Sequence, residues 1–80
     1  MTGDEILAAV AAVAREHLGV RGAITPGARL VEDLGCDSLQ LLTLAAEVEN
    51  RFRVVLEPAD EARIATIGDL VALLEEKLAQ

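Results

Sequence analysis

Few side chains in this 80-residue chain are suited to chemistry: there is one histidine, His17, one cysteine, Cys36, and no tyrosine or tryptophan. Catalysis by proton transfer or covalent attack requires a base beside a nucleophile, or two groups that exchange a proton. Neither His17 nor Cys36 has such a partner nearby in sequence. No Cys-x-x-Cys or histidine pair offers a metal its ligands. No glycine-rich loop after a strand cradles a nucleotide. The reading is therefore not an enzyme and no metal site. His17, on the apolar stripe of a helix, reads as a helix-end histidine near the last carbonyls. Cys36 reads as a small side chain filling a tight slot.

One constellation remains, Gly35-Cys36-Asp37-Ser38-Leu39, where an irregular stretch meets a helical pattern. Asp37 fits an N-cap, with Gln40 three residues on as its reciprocal partner. Ser38 then takes the first helical position, and its hydroxyl is not consumed by capping. A helix N-terminus favours a phosphate ester, because free N–H groups and the dipole face the anion. No base adjoins Ser38, so it is poorly placed to attack unaided. Taken alone, Asp-Ser at a helix start is ordinary capping, and both readings stay open.

The elements that position this site follow from periodicity. Residues 3–18 predict a helix with Ile6, Val10, Val13 and His17 at helical spacing, widened by Leu7, Ala14 and Leu18. Thr2 with Glu5 fits a capping box at its start, and Gly19 fits its end. Residues 19–36 are broken by Gly19, Gly22, Pro26, Gly27 and Gly35. Their Ile24, Leu30, Val31 and Leu34 are expected to pin this long connection onto the helices. Residues 38–52 predict a second helix, with Leu41, Leu44, Ala45, Val48 and Phe52 inward and Leu39, Thr43, Ala46 and Asn50 outward. Residues 57–63 fit one or two helical turns, with Glu57 as cap and Pro58 at the first position. Residues 67–79 predict a last helix, with Ile67, Leu70, Val71, Leu74 and Leu78 inward and Thr66 with Asp69 at its start. The expected fold is all-α: a four-helix bundle of three main helices and one short one, with a long loop between the first two.

Composition narrows the partners. A hydrophobic content of 52% supports a core, and with Phe52 as the only aromatic that core must be aliphatic. The formal net charge of −7 disfavours nucleic acid and anionic membrane surfaces and favours partners with basic patches. A lone cysteine excludes an internal disulfide and fits a reducing compartment. The first residues carry Asp4 and Glu5, not the basic region of a leader, and no apolar run reaches the ~20 residues of a membrane span. One domain over residues 1–80, monomeric and cytoplasmic, is expected.

Across nearly the whole chain the sequence resembles the acyl carrier protein family. Leu18-Gly19-Val20 resembles the end of that family's first helix. Val31-Glu32-Asp33-Leu34-Gly35, followed by Cys36-Asp37-Ser38-Leu39, resembles its attachment motif, which usually has a small residue at the Cys36 position. Glu49 and Phe52 match its Glu-x-x-Phe, and Ile64, Thr66, Ile67 and Asp69 match the opening of its last helix. The resemblance implies a covalent 4'-phosphopantetheine on Ser38, installed by a separate phosphopantetheinyl transferase from coenzyme A. Acyl intermediates are then held on the arm as thioesters for acyl-loading and acyl-processing enzymes. It also implies that Asp37 supports the modification near the transferase's magnesium ion, and that Leu39, Thr43, Ala46 and Asn50 form the partner-docking face.

There the family usually has an acidic residue at the Thr43 position and a larger apolar one at the Ala46 position. Arg51 and Arg53 dilute the negative charge further. A polyketide or other specialised pathway is thereby favoured over a housekeeping fatty-acid synthase. An aminoacyl or peptidyl carrier is a neighbouring reading, although such domains often place Gly-Gly-His or Gly-Gly-Asp before the serine. A plain helical interaction module, with Ser38 at an ordinary capped helix start, is the alternative of a different class. Cys36, two residues from Ser38, is expected to form disulfides with the arm's thiol or with a second molecule.

Overall fold

The structure, a computed structural model, describes residues 1–79. Four helices follow in order: α1 (Gly3–Leu18), α2 (Ser38–Phe52), α3 (Pro58–Glu61) and α4 (Ile67–Leu78). Among the described residues there is no strand, only one isolated bridge between Arg29 and Thr66. The fold is the expected all-α bundle, and no described helix is long and apolar enough to cross a membrane.

Capping chemistry sets the helix starts. At α1 the Glu5 N–H donates to Thr2 Oγ1 at 3.2 Å and the Thr2 N–H donates to Glu5 Oε1 at 2.8 Å. At α4 the Asp69 N–H donates to Thr66 Oγ1 at 3.0 Å, and the Asp69 carboxylate accepts from the N–H groups of Ala65 and Thr66. Each box satisfies donors that the first helical turn would otherwise leave unpaired. Gly19 ends α1 in the left-handed conformation, φ 67°. At α3 the expected cap is half met: Glu57 occupies the cap position, but its carboxylate makes no capping bond and Asp60 instead accepts the Glu57 N–H at 3.0 Å.

α1 packs against both α2 and α4. Ile6, Val10, Val13 and Ala14 meet Leu44, Val48 and Phe52 of α2 and Ile67, Leu70, Val71 and Leu74 of α4 in one buried cluster. Leu7, Leu18, Leu41 and Ala45 are half-buried along its edge, as stripe-widening positions should be. Burying these side chains holds the bundle together, because helices this short are marginal alone.

Three expectations of burial are corrected. Val31 is 53% exposed. Residues 29–35 wind into a helical turn, with Asp33 N–H donating to Arg29 O and Gly35 N–H to Val31 O, so Leu30 faces the core and Val31 faces outward. Leu78 is 38% exposed in the last turn of α4. His17 is exposed rather than on the core face: its Nε2 lies 3.3 Å from Glu47 Oε2 on α2, so this end of the α1 stripe carries a polar contact between helices.

The connection between α1 and α2 is ordered by pairing with the start of α4. Leu30 N–H donates to Ala65 O (3.0 Å), Ile67 N–H to Ala28 O (2.9 Å) and Gly68 N–H to Pro26 O (2.8 Å). The last two acceptors satisfy the first N–H groups of α4, which no intrahelical carbonyl can reach. Buried Ile24, Ala28 and Leu30 fasten the same segment to the core. α3 buries no residue of its own; its Asp60 pairs with Lys77 of α4, and Arg63, two residues beyond α3, pairs with Glu76 of α4, both at 2.9 Å.

Several carboxylates in these contacts titrate below their ordinary values. For Asp60 the first cause is the hydrogen bond from Lys77, then the Glu57 N–H. For Asp69 it is the Ala65 N–H, for Asp33 the Arg29 N–H, and for Glu5 the Thr2 N–H. A folded value below the unfolded one adds stability that is present above the ordinary 3.8 of aspartate or 4.5 of glutamate and is lost as pH falls through the depressed folded values. Thermal unfolding should therefore shift to lower temperature as pH falls below about 4.5, and Asp69→Asn should flatten that dependence.

Candidate functional site

The long connection delivers the chain to α2 in three steps. Gly35 takes a left-handed φ of 68°, which turns the backbone after the 29–35 turn. Cys36 follows, its N–H donating to Leu30 O at 3.0 Å and its side chain only 4% exposed. Asp37 is extended and caps α2: Gln40 N–H donates to Asp37 Oδ1 at 2.8 Å, and Asp37 N–H donates to Gln40 Oε1 at 3.1 Å. The expected capping box is thus present, with Ser38 as the first helical residue.

Ser38 is exposed, and its hydroxyl makes no hydrogen bond among the described residues. Asp37 takes the Gln40 N–H, while the N–H groups of Ser38 and Leu39 lie too early in the helix for an intrahelical acceptor. A phosphate ester on Ser38 would meet these donors and the positive end of the helix dipole. The site fits a phosphate-linked group on geometry and on charge. Asp37→Ala should remove the cap and cost about 0.5–2 kcal/mol of stability, measurable by urea unfolding.

The expectation of ready disulfides at Cys36 is corrected. Its thiol is buried, and burial, with the Asp37 carboxylate second, pushes its pKa up. The thiolate needed for exchange is therefore scarce. Cys36 fills a slot beneath the site, as a small residue there was expected to do.

Along α2, Leu39 is 71% exposed, Ala46 and Asn50 are exposed, and Thr43 is half-buried with its hydroxyl donating to Leu39 O at 3.0 Å. Leu42, 63% exposed, joins this face and was missed in the sequence. The signal was available: at 100° per residue Leu42 points nearly opposite to Leu44. Glu49 has a structural task, its carboxylate accepting the N–H of buried Leu56 at 2.9 Å and so tying down the link to α3.

Beside α2 lies a cavity of about 130 Å³. Leu41, Leu44 and Ala45 form its α2 wall, Leu30, Leu56 and Ile64 its loop sides, and Leu70 its α4 side, with Glu61 from α3. Leu41 stands one turn beyond Ser38, so the near wall of the cavity adjoins the first turn of α2.

Residues 5–74 match the family model described as a phosphopantetheine attachment site. The chain is 41% identical over 76 residues to an acyl carrier protein of Thermotoga maritima, covering 94% of each, and 37% identical over 79 residues to one from Exiguobacterium, covering 98% of this chain and all of that one. It is 34% identical over 77 residues to a meromycolate extension acyl carrier protein of Mycobacterium tuberculosis, covering 95% of this chain and 67% of the relative. Among solved structures, a candidate acyl carrier protein from Mycobacterium tuberculosis superposes with a TM-score of 0.84 at 32% identity, over 89% of this chain and 96% of the other. An exposed serine at a capped helix start, a helical bundle around it and these matches lead to one conclusion: the chain belongs to the acyl carrier proteins, carriers rather than catalysts, whose 4'-phosphopantetheine is covalently attached.

Proposed function

We propose that Ser38 is the attachment residue and that residues 1–80 act as one monomeric, cytoplasmic carrier domain for acyl thioesters. The observation that carries this reading is the exposed Ser38 hydroxyl, left free because Asp37 does the capping. A phosphopantetheinyl transferase approaches the start of α2; the Ser38 hydroxyl gives up its proton to a base of the transferase and attacks the phosphorus that bears the pantetheine, breaking the pyrophosphate P–O bond of coenzyme A and releasing adenosine 3',5'-bisphosphate. Asp37 holds the helix start in place and supports this transfer from the neighbouring position. When attached, the arm supplies the thiol on which the acyl group is held. Peptide fragmentation after treatment with coenzyme A, magnesium and a broad-specificity transferase should place the phosphoester on Ser38; a modified peptide lacking Ser38 would refute the assignment.

The docking face consists of Leu39, Thr43, Ala46 and Asn50, extended by Leu42, and serves loading and processing enzymes of a polyketide or other specialised acyl pathway. Support comes from Thr43 and Ala46, which leave the face short of the acidic and bulky apolar groups usual in the family, and from Arg51 and Arg53, which weaken attraction to a basic patch. Thr43→Glu with Ala46→Met should improve transfer to a housekeeping fatty-acid ketosynthase. Equal rates for the native and doubly substituted carriers would count against a specialised face.

A further inference from the structure

Glu61 is the one ionisable side chain on the wall of an otherwise leucine-, isoleucine- and alanine-lined cavity. Its neighbours are already committed: Asp60 to Lys77 and Arg63 to Glu76. The carboxylate of Glu61 joins no ion pair or hydrogen bond among the described residues. Its backbone is fixed, the N–H donating to Glu57 O at 3.0 Å and the carbonyl accepting from Ile64 N–H at 3.1 Å. The residue both lines the cavity and is exposed, which puts it at the cavity's open edge, in reach of solvent.

We propose that Glu61 is a cargo-selecting residue: it admits uncharged acyl chains to the cavity and keeps carboxylate-bearing chains out. The inference rests on the carrier reading and adds the class of cargo to it. An alkyl chain leaving water for this cavity gains by burial. A chain with a free carboxylate would have to carry a second anion past the unpaired one at the cavity's edge and give up its own hydration inside an apolar cavity. Such a chain would stay outside, open to partner enzymes, while a neutral chain would be sheltered.

The test uses two cargoes of equal length, octanoyl and octanedioyl, transferred with the arm from their coenzyme A thioesters. Intact mass verifies loading, and the thermal midpoint is read against the carrier with an unacylated arm. In the native protein octanoyl should raise the midpoint by several degrees and octanedioyl should not. Glu61→Gln should narrow the gap, and Glu61→Lys should let octanedioyl raise the midpoint as well. Equal shifts for both cargoes in the native protein, no shift with octanoyl, or a gap unchanged by both substitutions would overturn the proposal. Failure to load either cargo would overturn the carrier reading itself, and this inference with it.

Discussion

Ile67→Ala is expected to cost about 2–5 kcal/mol, the range for truncating a fully buried aliphatic side chain. Ile67 is 0% exposed. It also opens α4, and its N–H donates to Ala28 O, so it lies where the core, the helix start and the long connection meet. A domain of 80 residues has roughly 4–12 kcal/mol in total, so the loss is a large share of the whole. At about 4–8 °C per kcal/mol, the thermal midpoint should fall by at least about 8 °C. Calorimetry measures this directly. A drop of a degree or two would mean that the site collapses around the smaller side chain.

Gly68→Ala should destabilise as well, although at an open helical position the same change helps by about 0.8–1.0 kcal/mol. The sign reverses because a Cβ on Gly68 would lie 2.9 Å from the Pro26 carbonyl oxygen, a backbone atom that accepts the Gly68 N–H. Forcing the two apart strains that pairing, at a cost of about 1–3 kcal/mol. Gly3→Ala is the control. Its Cβ would meet only the Glu75 carboxylate at 3.2 Å, the end of a flexible side chain that can move aside. Urea midpoints should therefore fall for Gly68→Ala and hold or rise for Gly3→Ala.

These two residues also show where local sequence runs out. The bounds of α1 and α2 follow from periodicity and caps, residues 3–18 and 38–52 in both readings. α4 ends one residue short of the expected 79, and α3 covers only Pro58–Glu61 of the expected 57–63. Thr2 with Glu5, Asp37 with Gln40 and Thr66 with Asp69 are legible because a capping box is closed within four residues. The pairing of Pro26 with Gly68 and of Ala28 with Ile67 joins residues about forty apart, and no periodic pattern encodes it. The same holds for His17 with Glu47 and Lys77 with Asp60. Val31 was misread for a related reason. It sits in a segment without a long period, where a single helical turn decides which side chain goes in. The site itself was more legible than its surroundings, because the freedom of the Ser38 hydroxyl depends on a cap one residue away.

That local arrangement explains how so small and acidic a protein can serve as a carrier. The bundle packs α2 through Leu44, Val48 and Phe52, the boxed Asp37 caps its first turn, and Ser38 is left exposed at the helix's positive end. The stitched connection fixes the approach to this turn, and the cavity flanks the same helix. Nothing in this layout requires the carrier to do chemistry of its own.

Intact mass after incubation with coenzyme A, magnesium and a broad-specificity transferase tests the attachment at Ser38 most directly. The native protein should gain one phosphopantetheine and Ser38→Ala none, with both variants equally folded by circular dichroism. No gain in the folded native protein, or the same gain in Ser38→Ala, would contradict the assignment.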